Sequence, residues 1–158
     1  MASDFPIVYY TGPELGPMNL YFFPKSTATF KAEQLVVQST SDQTVDECGA
    51  DPALILGIAK GNAADKFLWA DITNVGRVPV SVLNPAVRIG LCVSGTLVAA
   101  SVGKTYGITK LASGNWAMDI AKQGGASDRV YVQAVDLTNQ IAWVNFLAAN
   151  LQADAIAS

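Results

Sequence analysis

From Phe30 onward the chain alternates short apolar runs with clusters of Gly, Asn, Asp and Ser, the pattern of an antiparallel all-β domain. The runs predict strands over 34–38, 54–60, 67–72, 78–83, 86–93, 96–101, 106–111, 115–120, 129–136 and 141–147. Val87, Ile89, Leu91 and Val93 point one way, and Arg88, Gly90, Cys92 and Ser94 the other. Val130, Val132 and Ala134 alternate in the same manner with Arg129, Tyr131 and Gln133. A side-chain period of two over so many segments leaves little room for helix. The predicted core is Val87, Ile89, Leu91, Trp116, Met118, Val130 and Val132. Ser94-Gly95, Ser113-Gly114-Asn115 and Gly124-Gly125 each separate two runs where a residue of positive φ is needed. The runs 106–111 and 115–120 should therefore form a hairpin.

The two ends of the chain read differently. Val144, Leu147, Ala148, Leu151 and Ala155 fall at helical spacing in an alanine-rich stretch, whereas Trp143 and Phe146 suit a strand. The expectation is a strand followed by a short loose tail. At the other end, residues 4–24 mix Pro6, Gly12-Pro13, Gly16-Pro17 and Pro24 with Phe5, Tyr9, Tyr10, Tyr21, Phe22 and Phe23. Proline and glycine at that density break regular elements while the aromatics favour burial. Two readings follow: an extended arm lying across a subunit boundary, or an irregular first strand packed on its own core. On the first reading the six aromatics are the candidate interface. With no repeat or linker, the chain divides into an extended arm, 1–29, and one β-domain, 30–158.

Composition narrows the function. A chain of 158 residues can bury a core without disulfide or metal staples. Charged residues make up only 15% against 51% hydrophobic, below the usual share of about 25% charged. So few charges favour burial against neighbours and point to an assembly subunit. The net charge of −3, the pI near 4.7 and the scattered Lys and Arg argue against a nucleic-acid partner. Neither a leader-like start nor an apolar run of spanning length is present, so the expectation is synthesis and folding in the cytoplasm, with no membrane partner. Cys48 and Cys92 are then expected to be free, partly buried thiols.

The catalytic inventory is thin. The absence of histidine removes the commonest general base and the commonest zinc ligand, and excludes Ser-His-Asp and Cys-His sites. Asp42, Asp46, Glu47 and Asp51 cluster in sequence but match no calcium-loop spacing and read as a solvated turn. Gly57-Ile58-Ala59-Lys60-Gly61 lacks the Gly-Lys-Ser/Thr ending of a phosphate cradle and reads as a β-turn. Trp69, Trp116 and Trp143 sit inside apolar strands and read as core rather than as sugar platforms. Carboxylate chemistry would rest on Asp71 or Asp119 buried in a cleft. The expectation is a protein that binds or assembles: no enzyme, no cofactor and no metal.

Four stretches, in their order along the chain, carry a likeness: Phe30-Lys31-Ala32-Glu33-Gln34-Leu35-Val36, Ile55-Leu56-Gly57-Ile58-Ala59, the run from Tyr106-Gly107-Ile108 to Trp116-Ala117-Met118-Asp119, and Arg129-Val130-Tyr131-Val132-Gln133-Ala134-Val135-Asp136. Over residues 30–147 the chain resembles the capsid decoration, or cement, proteins of tailed bacteriophages. The resemblance implies a compact β-barrel or β-tulip on the exterior of a virion capsid, made in the host cytoplasm. It further implies self-association as a trimer or dimer, with the major capsid protein as partner. A carbohydrate- or receptor-binding module of a phage tail or fibre is the rival expectation, since it too would be all-β and tryptophan-bearing.

Overall fold

The computed structural model describes residues 3–9, 18–65 and 76–152. Its strands are β1 (Val8–Tyr9), β2 (Met18–Phe22), β3 (Leu35–Gln38), β4 (Val45–Glu47), β5 (Gly57–Ala59), β6 (Val78–Val82), β7 (Arg88–Ser94), β8 (Thr105–Lys110), β9 (Trp116–Gln123), β10 (Val130–Asp136) and β11 (Ile141–Phe146). The only helical elements among the described residues that span a full turn are 3-10 turns at Ala63–Asp65, Ala99–Ser101 and Ala148–Asn150. No helix among the described residues is long and apolar enough to cross a membrane.

The strands form two sheets. The first runs β1-β7-β11-β10-β8-β9 and is closed by a parallel pairing between β7 and β9, with Cys92 opposite Ala117 and Val93 opposite Met118. Five strands thus make a ring, antiparallel except at that seam. The second sheet is antiparallel and runs β2-β6-β5-β3-β4. It too curls back on itself, because the chain leaving β2 reaches β4: Val45 donates its N–H to Phe23 O at 2.9 Å, and Lys25 donates to Val45 O at 2.8 Å. The chain adopts the all-β architecture expected from the pattern, in the compact, barrel-like form that the resemblance implied.

Alternation places the core. Val87, Ile89, Leu91, Val93, Trp116, Met118, Val130 and Val132 all enter one buried cluster, together with Ile108, Val144 and Phe146. Leu35, Ile58 and Leu83 of the second sheet join that cluster, so one face of this sheet packs on the larger barrel. The opposite face, Val36, Val45, Val78 and Val80, closes around Phe30 and Leu56 as a second core. The inner strands β5 and β6 are therefore buried on both sides, which explains the near-continuous apolar run Val78-Pro79-Val80. At its centre β5 needs Gly57, because a Cβ there would lie 2.1 Å from the carbonyl oxygen of Ser81. Residues 57–59 thus form a strand, within the predicted run 54–60, and only Lys60 and Gly61 of the segment read as a turn lie outside it.

Other expectations are revised. The run 96–101 is no strand: Gly95 and Gly103 both take positive φ, and Leu97 alone of the bulky residues between them is buried in the large core. After β11 the chain is docked through Gln152, where a loose tail was expected. Leu151 is fully buried beside Ile55, and the Gln152 amide pairs with both backbone groups of Gln38, at 2.7 and 2.9 Å. Of the two readings of residues 4–24, the described part takes the second, with β1 pairing to β7 and β2 to β6. The predicted strand 67–72, with Trp69 and Asp71, lies outside the described residues. Trp116 is core, but Trp143 stands half-buried on the outer face of β11, its ring beside Gly90.

Candidate interface

The aromatics of the N-terminal segment divide into three settings. Phe5 is half-buried near the seam of the larger barrel, where the Cys92 thiol donates to Trp116 O at 3.2 Å. Burial is the main force raising the pKa of that thiol, and burial likewise pushes the Cys48 thiol up to about 12. Both cysteines are free and buried. Tyr10 lies outside the described residues.

Tyr9 belongs to a polar clasp between the two barrels. Its hydroxyl donates to Glu33 Oε2 at 2.8 Å, while Lys60 Nζ donates to Glu33 Oε1 at 2.7 Å and to the Tyr9 hydroxyl at 2.9 Å. The ammonium also lies over the tyrosine ring, 4.1 Å from its centre. Burial, reinforced by the Glu33 carboxylate, drives the Tyr9 pKa far above the ordinary phenol range. This hydroxyl is a fixed donor and no general base. Glu33 adopts a φ of 66°, a conformation that turns the chain just before β3. No local pattern joins positions 9, 33 and 60, so sequence reading had no means of finding the clasp.

Tyr21, Phe22 and Phe23 lie on the outermost strand of the second sheet and its continuation. Phe22 packs partly into the smaller core, while Tyr21 and Phe23 keep 41% and 49% of their surface exposed. Together with Gln38, Asp42, Gln43 and Arg77 they line an open cleft of about 380 Å³. The Arg77 guanidinium lies over the Phe23 ring at 4.6 Å. Across the cleft, Asp42 caps the β3–β4 turn by accepting from Thr44 N at 3.1 Å and Thr44 Oγ1 at 2.8 Å. Those bonds hold its carboxyl below the usual carboxylate range.

The acidic cluster 42–51 resolves into separate duties. Asp42 is the turn residue expected, but Asp46 and Glu47 lie on β4, a strand too short and polar to be seen in the sequence. Glu47 pairs with Lys110 at 2.7 Å, Asp46 with Lys25 at 3.6 Å, and Asp51 with Arg129 at 3.6 Å. Among the described residues no three His, Cys, Asp or Glu side chains converge in a metal-binding group. Asp119 accepts from Ala121 N within its own strand and is half-buried at most.

The exposed large hydrophobics fall mainly into two groups. Leu20, Tyr21 and Phe23 are on the smaller barrel; Val98, Val102, Tyr131 and Leu137 are on the larger. The second group is held at one barrel end by Gln140, whose side chain accepts from Leu97 N and donates to Leu137 O, both at 2.9 Å. Tyr131 joins it through the approach of its hydroxyl to Gly103, next to Val102. No protein-family model and no curated protein matches the chain.

Proposed function

We propose that this protein is a structural component of a phage virion, a decoration or cement protein that binds the outside of the head and bridges neighbouring major capsid subunits. The observation that carries the reading is the division of exposed apolar side chains into one patch on each barrel. A bridging protein has to hold two neighbours, and each contact needs its own apolar centre within an interface of about 1,600 Å². The core shared between the two sheets joins them into one body, through which a load on one patch reaches the other. Repeated over a shell, modest contacts add through multivalency and oppose outward pressure. The motif order over residues 30–147 supports the same reading, and self-association as a trimer or dimer belongs to it.

The test is sedimentation with tailed-phage heads stripped of their decoration protein. Wild-type protein should pellet with the heads. Two double variants, Tyr21→Asp with Phe23→Asp and Val98→Asp with Leu137→Asp, should each weaken binding by about tenfold or more, since a buried unpaired charge exceeds the 1.4 kcal/mol that a decade represents. Wild-type protein that stays in the supernatant, with heads intact, refutes the proposal.

A further inference from the structure

The backbone of β2 carries an inference that is independent of the phage reading. Lys60 donates its N–H to Pro79 O at 2.9 Å and Leu83 donates to Leu56 O at 3.1 Å, so the odd-numbered residues of β6 face β5. Val78, Val80 and Val82 therefore turn toward β2, where they meet Phe22, Leu20 and Met18. By alternation Asn19 and Tyr21 turn their N–H and C=O groups away from the sheet, in the same direction as Phe23, whose outward carbonyl is taken by Val45. Among the described residues nothing takes those of Asn19 or Tyr21. Among the described residues the strand is thus zipped to β4 only at its Phe23 end, and beyond that point no described strand covers its edge beside the cleft.

An open edge is a template for another strand, which proteins usually blunt with charge, proline or a bulge. Here the edge carries Leu20 and Tyr21, both exposed, and has none of these devices at either residue. The charge beside it is Arg77, spread over the Phe23 ring and making no ion pair among the described residues. A guanidinium held on an aromatic face is poised to accept a carboxylate.

We propose that the edge of β2 is a docking site for an extended segment of a partner polypeptide. The segment adds as a further strand on Asn19 and Tyr21 and places an acidic side chain on Arg77. Backbone bonds would supply affinity without sequence preference, and Arg77 with the Tyr21–Phe23 surface would supply the selection.

The probe is an acetylated, amidated seven-residue peptide of alternating threonine and valine with one central glutamate, titrated into the full-length protein and followed by backbone amide NMR. Saturable shifts confined to residues 18–23, 42–43 and 77 are expected. Replacing the glutamate by glutamine, or making Arg77→Ala, should weaken binding about three- to fivefold, the worth of one exposed ion pair. Of the backbone groups, Asn19→Pro and Tyr21→Pro remove only outward N–H donors, and Tyr21→Ala is the control for the lost ring. The two proline variants should keep the thermal midpoint yet abolish binding, whereas Leu20→Pro, which cuts a ladder bond, should lower the midpoint. A peptide N-methylated on the amides facing β2 should fail to bind the unaltered protein, a control that does not depend on any variant folding. Shifts elsewhere, no saturation, or undiminished binding by the proline variants would overturn the proposal. So would a wild-type dimer that protects the Asn19 and Tyr21 amides and that the acidic peptide cannot dissociate, since the occupant would then be a second copy.

Discussion

Replacing Gly57 by alanine tests how tightly the second sheet is built. The new methyl carbon would lie 2.1 Å from Ser81 O, 2.9 Å from Ser81 C and 3.0 Å from Val82 Cα, all backbone atoms in a sheet buried on both faces. Ordinary contact begins at 3.4 Å, so β5 and β6 must part by about 1.3 Å. The flanking bonds Lys60 N to Pro79 O and Leu83 N to Leu56 O, at 2.9 and 3.1 Å, cannot follow a displacement of that size. Losing two buried backbone bonds, at about 1–3 kcal/mol each when the groups are left unpaired, gives a cost of roughly 2–6 kcal/mol. At about 2–4 °C per kcal/mol for a chain of this size, the midpoint should fall by at least 4 °C or so. Gly90→Ala is the comparison, since its methyl would meet only side chains, Val8 Cγ2 at 2.3 Å, Ile141 Cγ2 at 2.9 Å and Trp143 Cζ3 at 3.0 Å, which can swing outward. Gly124→Ala meets nothing within 4 Å and carries only the strain of its φ of 67°, about 1 kcal/mol. Urea denaturation of the three variants should rank them Gly57, Gly90, Gly124 in decreasing damage. A Gly57→Ala protein within about 1 kcal/mol of wild type would refute the close approach of β5 to β6.

Three further outcomes follow from buried polar groups. Arg129→Met should cost about 3 kcal/mol or more by equilibrium unfolding, because the guanidinium serves the carbonyls of Pro52, Ala126 and Asp128 at 2.6, 2.9 and 2.9 Å, and Arg129→Lys should rescue only part of it. Gln152→Ala leaves the Gln38 backbone pair unmatched and should cost about 1–3 kcal/mol, while Asn150→Ala, which loses one exposed bond to Ala53 O, should cost less. Cys48 should resist thiol reagents at pH 8 until the protein unfolds. Its folded pKa of about 12 lies above the ordinary 9.0, so the native state holds its proton longer than the unfolded chain. That contribution is whole below about pH 9 and is lost as pH rises toward 12, which Cys48→Ala should abolish in a pH series of unfolding curves.

What the sequence made legible was whatever repeats locally. Val87, Ile89 and Leu91, or Val130 and Val132, announce both strand and buried face within a few positions, and the Ser113-Gly114-Asn115 turn announces the β8–β9 hairpin. The parallel seam between β7 and β9 leaves no such mark, because it joins two strands separated by a third and depends on which ends meet in space. β4 is three residues long with two acids, and β1 is two residues long, so both owe their extended form to a neighbour. The same limit applies to the site. Composition singled out Tyr21 and Phe23 as needing a surface, but the open backbone edge beside them is visible only once Lys60 and Pro79 fix the phase of β6.

The two closures of the smaller barrel come from stretches far apart in the chain. Residues 23–25 zip it on one side, through Val45, and residues 150–152 brace it on the other, through Ile55 and Gln38. During synthesis the strands from 18 to 82 emerge early, yet their brace is the stretch that follows β11, nearly 70 residues later. The smaller barrel therefore gains its last braces only once Leu151 and Gln152 have been made.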